Sequence, residues 1–180
     1  MEDPTRSNLE RKTPLNDVRR AEAALRALGA TDAGILVQRD TYFRVATGRL
    51  KLREMPERAE LIAYDRDESS TEMLSRYTVT PVDQPSATRE ALAAHYGIRG
   101  VVEKSRSLWL YKNGRIHLDH VGGLGAFLEI EVVDPRTPAE GRALMNELVV
   151  ALSLDLGSAV QASYIDLLEA LERPSPHFPH

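Results

Sequence analysis

An α+β protein built on an antiparallel sheet or barrel is the fold class this sequence predicts. About eight short runs alternate apolar with polar or charged residues, and most are joined by turn-sized connections. The helical stretches gather near the start, middle and end of the chain. A doubly wound parallel sheet would need regular strand and helix alternation, which the pattern lacks.

A polar lead, residues 1–7, precedes a short strand from Asn8 to Thr13, on which Asn8, Glu10 and Lys12 share a face because strand side chains alternate. Pro14 and Asn16 open a helix in which Val18, Ala21, Leu25 and Leu28 recur at spacings of three and four, with Asn16 as N-cap and Gly29 just past the end. Strands follow at Ile35–Val45, Arg49–Met55 and Ala59–Asp67, the first two joined by a turn at Thr47 and Gly48. On them Asp40 pairs in facing with Tyr42, Lys51 with Arg53, and Tyr64 with Arg66.

A polar stretch from Asp65 to Glu72 reads as a surface loop, and Ser75–Val82 as another strand. Pro85 and Ser86 start a helix that Gly97 closes. Arg99–Lys112 is a long strand with Lys104 and Arg106 on one face, and Asn113-Gly114 is the strongest short hairpin signal in the chain. Thr137, Pro138 and Glu140 form a capping box that opens a helix carrying Leu144, Leu148 and Leu152, and Ser163–Glu172 is a last short helix.

Length and composition set bounds on the partners. The 180 residues suit a single domain with its core at about 8–172 and a disordered tail at 173–180. A net charge of −4 with 28% charged residues gives no bulk reason to expect nucleic acid or an anionic membrane as partner. The absence of cysteine excludes disulfides, thiolate metal sites and thiol nucleophiles. Without an apolar leader or a run near the roughly 20 residues that span a bilayer, a soluble cytoplasmic protein is the expectation. The leucine faces of the helices read as packing surfaces; a homodimer is left open.

The chemistry concentrates in Gly114–Asp134, two strand-like runs around Gly122, Gly123 and Gly125. Arg115, His117 and Asp119 fall on one face of the first run, and Glu129 and Glu131 on one face of the second. Two carboxylates on an otherwise apolar strand call for a cation or water. Charged faces recur on the other strands: Glu10 with Lys12, Lys51 with Arg53, Arg66, and Lys104 with Arg106. On an open sheet this would be a solvated surface. In a closed barrel it would be a lumen lined by cations and carboxylates, one that must hold water or a ligand. The matching ligand is strongly anionic and accompanied by a divalent cation, and a triphosphate meets both demands.

The pieces NLERK (8–12), QRDTYF (38–43), GRLKLRE (48–54), LIAYDR (61–66), VEKSRSLWL (102–110), RIHLD (115–119) and GLGAFLEIE (ending at Glu131) occur in this order. Together they resemble the CYTH superfamily, the triphosphate tunnel metalloenzymes that include class IV adenylyl cyclases and thiamine triphosphatases. The resemblance spans about residues 8–172 and implies an eight-stranded antiparallel barrel around a polar tunnel. It implies metal ligands at Glu10, Glu129 and Glu131 with Asp119 in support, Mg²⁺ or Mn²⁺ as the ion, and phosphate clamps at Lys12, Lys51, Arg53, Arg66, Lys104, Arg106 and Arg115. The family signature ExExK departs here at Asn8, whose amide brings no charge. One metal site, on Glu10, Glu129 and Glu131, is therefore expected.

Two reactions suit such a site: cyclisation of ATP to cyclic AMP and pyrophosphate, or hydrolysis of a triphosphate (thiamine, inorganic or nucleoside) to orthophosphate. QRDTYF, RIHLD and GLGAFLEIE look closest to the class IV cyclase branch, so a cyclase is the first expectation. Chemistry on another phosphorylated metabolite and non-catalytic polyphosphate or nucleotide binding are the remaining alternatives. Glu10, Lys12, Glu129, Glu131 and His117 form the catalytic set, with His117 either a general base or a structural partner of Arg115 and Asp119.

Overall fold

The computed structural model describes residues 6–66 and 73–172. Among these residues eight strands and four helices follow in the order β1 (Arg6–Pro14), α1 (Val18–Leu28), β2 (Thr31–Phe43), β3 (Arg49–Glu54), β4 (Ala59–Arg66), β5 (Met73–Val82), α2 (Pro85–Tyr96), β6 (Ile98–Tyr111), β7 (Gly114–Val121), β8 (Gly125–Val133), α3 (Pro138–Ala151) and α4 (Tyr164–Glu172). Every strand pairing is antiparallel, and the ring runs β1-β5-β4-β3-β2-β6-β7-β8. It closes because β1 pairs with β5 along one edge and with β8 along the other. An α+β protein on a closed eight-stranded barrel is thus the architecture.

Strand alternation sorts the barrel's side chains into an outer set, which packs under the helices on β7 and β8, and an inner set rich in charge. On β7 and β8, Ile116, Leu118, Leu128, Ile130 and Val132 point outward into a core completed by Leu25 of α1 and Leu144, Met145 and Leu148 of α3. Phe43 and Leu52 form a smaller cluster with Leu92 and Ala93 of α2. A third cluster closes one end of the lumen: Tyr164 and Ile165 of α4 pack on Tyr42, Val102, Val121 and Phe127. An ion-pair network holds α4 there, with Arg49 and Arg99 both on Asp166 and Arg99 also on Glu169.

The helix ends follow their capping chemistry, with one shift. Thr137 caps α3, its side chain accepting from the Glu140 backbone N–H. For α1 the cap is Asp17, not the expected Asn16; its carboxylate accepts from the Arg20 N–H at 2.9 Å. Strand β1 begins at Arg6, two residues before the expected start, and β2 begins at Thr31, four before. The β6–β7 hairpin is also offset by one residue. Tyr111 pairs with Gly114, so the turn is Lys112-Asn113, with Lys112 at φ 53°. Gly114 instead serves packing, since a Cβ there would lie 3.1 Å from Leu148 Cδ1 and 3.1 Å from the Tyr111 carbonyl. Most of the expected 65–72 loop and the whole 173–180 tail lie outside the described residues.

Leu148 is fully buried between α3 and the sheet, whereas Val150, two residues on, is 77% exposed. Leu148→Ala is expected to lower the unfolding free energy by about 3 kcal/mol and Val150→Ala to leave it nearly unchanged, as read from urea denaturation midpoints.

Candidate active site in the barrel lumen

The inward faces of the strands converge on one cavity of about 1190 Å³. Asn8, Glu10 and Lys12 reach it from β1, Lys51 and Arg53 from β3, Lys104 and Arg106 from β6, Arg115 and His117 from β7, and Glu129 and Glu131 from β8. The charged faces are therefore a lumen and not a solvated sheet. Arg66 ends β4, opposite Ser75, and its side chain lies outside the described residues. Asp119 is buried but set back from the cavity.

Two carboxylates organise the cations. Asp40 of β2, fully buried, receives Arg53 through both carboxylate oxygens at 2.7 Å, Lys51 at 2.9 Å and Lys104 at 3.1 Å. Burial by itself would raise its pKa, but Lys51, Lys104 and Arg53 outweigh that and hold the carboxyl well below its usual range. Asp119 plays the same part for Arg106, which donates to it from Nε at 2.7 Å and Nη2 at 2.6 Å and reaches Glu129 Oε2 at 2.8 Å. Tyr164 donates its hydroxyl to Asp119 at 2.8 Å. Burial and the charges of Glu129 and Asp119 raise the phenol's pKa, so it stays a donor. Both oxygens of Asp119 are thus engaged by Arg106 and Tyr164, so Asp119 fixes where the Arg106 guanidinium sits. The expectation of Asp119 as a metal ligand gains nothing from this geometry.

Lys12 is tied to the barrel end: Nζ donates to the Ala162 carbonyl at 3.2 Å, lies 3.6 Å from Glu10 Oε1 and sits 4.5 Å from the Tyr164 ring centroid. For Lys104, burial, with Arg53, Arg106 and Lys51 adding to it and Asp40 opposing, brings the ammonium down to about 7.

The carboxylates gather opposite Asp40. Register sets Glu10 beside Glu131, Arg115 beside Glu131 and His117 beside Glu129. Glu129, despite a burial that would raise it, is held well below the usual glutamate range by Lys12 and Arg106. Ligand atoms of His117, Glu129 and Glu131 all lie within 4.8 Å of one another. His117 Nδ1 is buried without a hydrogen-bond partner. Anionic oxygens and an unpartnered ring nitrogen turned toward one another suit a divalent cation, so these residues fit the metal that such a lumen calls for.

A model of the CYTH domain matches residues 6–163. The chain belongs to the CYTH family. No curated protein matches it by sequence. Among solved structures, a protein from Pyrococcus horikoshii OT3 is similar with a TM-score of 0.81 and 24% identity, over 89% of this chain and 98% of that one. An adenylate cyclase candidate from Vibrio parahaemolyticus gives 0.72 and 16% over 90% and 97%. An adenylyl cyclase candidate from Hippeastrum, described as having a dominant triphosphatase activity, gives 0.66 and 14% over 95% and 98%. At these identities the solved structures establish the shared fold.

Sequence reasoning left Asp40 and Tyr164 out of this CYTH site. Asp40 had a visible signal, an acid on the same face as Tyr42 in an otherwise strand-forming run. Tyr164 had none, because it enters the barrel from a helix 45 residues beyond Asp119. Tyr42, on the face of Asp40, and Tyr64, on the face of Arg66, both line the cavity, whereas Trp109 is packed outside the barrel.

Replacing Asp40 with alanine strands Lys51, Arg53 and Lys104 without their shared anion. A loss of about 3–5 kcal/mol is expected, partly restored by millimolar tripolyphosphate in a thermal denaturation assay. Lys104 is charged below about pH 7 and neutral above it, so sulfate affinity should fall about tenfold between roughly pH 6 and pH 8.5. Titration calorimetry on Lys104→Met should show a flatter profile; equal slopes for the two proteins would contradict the assignment.

Proposed function

We propose that the lumen binds a nucleoside triphosphate with a divalent cation and converts ATP to cyclic AMP and pyrophosphate. The observation that carries this reading is the convergence of Lys12, Lys51, Arg53, Lys104, Arg106 and Arg115 with Glu10, Glu129 and Glu131 on one cavity. That combination suits a chain of phosphates at one set of residues and an oxygen-binding ion such as Mg²⁺ or Mn²⁺ at the other. Leu36, Ile62, Val79 and Leu108 line the same cavity. A bare inorganic triphosphate has nothing to place against them, whereas a base and sugar do.

In this reading Lys51, Arg53 and Lys104, aligned by Asp40, hold phosphate oxygens, and Arg106, aligned by Asp119, spans from the clamp to the carboxylates. Glu10, Glu129 and Glu131 would hold the cation. When bound, it would polarise phosphate oxygens and ease deprotonation of the nucleophile. The ribose 3′-hydroxyl attacks the α-phosphorus, the bond to the bridging oxygen breaks, and pyrophosphate leaves with its charge met by the clamp. The barrel supplies position and field, with no covalent intermediate on the protein.

The second reading is hydrolysis, with water attacking the terminal phosphorus; the Hippeastrum neighbour described as predominantly a triphosphatase favours it. The RIHLD and GLGAFLEIE pieces, which resemble the class IV cyclase branch, favour cyclisation. Incubation of the purified protein with ATP and Mg²⁺ or Mn²⁺ separates the two. Cyclic AMP with pyrophosphate is the expected outcome, orthophosphate would transfer the assignment to hydrolysis, and no turnover of any triphosphate would contradict both. Glu129→Gln and Glu131→Gln should each cut metal-dependent turnover by about 100-fold or more while tripolyphosphate binding changes only a few-fold.

A further inference from the structure

We propose that His117 is a nitrogen ligand of the cation held by Glu129 and Glu131, and that the site accordingly prefers an imidazole-binding transition-metal ion, Mn²⁺ or Co²⁺, to Mg²⁺. This rests on the metal-dependent reading above and adds the class of metal to it.

His117 is 2% exposed, and its Nδ1 has no hydrogen-bond partner. A buried ring nitrogen without a hydrogen bond recovers only part of its lost hydration from carboxylates at a distance, a state that native structures seldom retain without a reason. The same atom faces Glu129 Oε2 at 3.9 Å and Glu131 Oε1 at 4.0 Å. Both separations are too long for hydrogen bonds, and all three groups converge within 4.8 Å. The arrangement is set by backbone, since His117 is the register partner of Glu129 and Arg115 that of Glu131 on adjacent antiparallel strands.

Chemistry points the same way. Mg²⁺ takes oxygen donors and keeps its waters, whereas imidazole nitrogen raises affinity along the first-row series. Asn8, which also lines the lumen, contributes no charge, so His117 adds a nitrogen donor to a set that Glu10, Glu129 and Glu131 supply with oxygens alone. A general base would have to turn a nitrogen to the attacking hydroxyl; here Nδ1 is turned to the glutamates.

The test uses the full chain loaded with metal alone. Pulsed electron paramagnetic resonance on the Mn²⁺ form should show nitrogen hyperfine coupling, absent in His117→Asn. Titration calorimetry should give Co²⁺ binding at least about tenfold tighter than Mg²⁺, with a loss of about tenfold or more for Co²⁺ in the variant and little change for Mg²⁺. Bound Mn²⁺ without nitrogen coupling in the wild-type protein would overturn the role of His117 while leaving the carboxylate site intact. That measurement stands even if the variant fails to fold. Failure of every divalent ion to bind would overturn the metal-dependent reading and this inference together.

Discussion

Burying several cations around one cavity requires that their charge be met inside the protein, and Asp40 meets three of them at once. Each buried ion gives up several kcal/mol of hydration, and Lys51, Arg53 and Lys104 recover part of that loss from a single carboxylate whose oxygens accept from all three. Sharing one anion among three cations leaves excess positive charge directed at the lumen. Burial first, and then the neighbouring Arg53, Arg106 and Lys51, lower the pKa of Lys104 against the pull of Asp40. A highly charged anion entering the cavity would meet that charge, so the arrangement suits a polyphosphate.

A second device repeats the logic. Asp119 orients Arg106 through a two-point contact, and Tyr164, carried in from α4, fixes Asp119. The helix that closes one end of the barrel is thereby coupled to the lumen arginine Arg106 as well as to the rim, where Arg49 and Arg99 meet Asp166. Fold and site are continuous: outward Leu128, Ile130 and Val132 seat β8 on the helical layer, and that seating aims Glu129 and Glu131 inward.

Much of this was legible in the sequence because a strand's period of two carries both burial and facing. Lys12, Lys51, Arg53, Lys104, Arg106, Arg115, Glu129 and Glu131 were all readable as one-face residues, and each lines the cavity. What period alone cannot show is which strands meet. Asp40 acquires its role only when β2 lies between β3 and β6, bringing Lys51, Arg53 and Lys104 to it. Closure, which decides between a wet surface and a lumen, depends on β1 pairing on both edges, a non-local fact. Local signals were also outcompeted at two turns. Asp17 caps α1 in place of Asn16, and Gly114 is taken up by its approach to Leu148, moving the hairpin turn one residue upstream.

A crystal structure grown with tripolyphosphate would show whether the lumen is a phosphate site organised by Asp40. Phosphate oxygens within hydrogen-bond distance of Lys51, Arg53 and Lys104, with Asp40 still holding those side chains, is the predicted result. Tripolyphosphate bound only on the outer surface, with the lumen cations untouched, would contradict it.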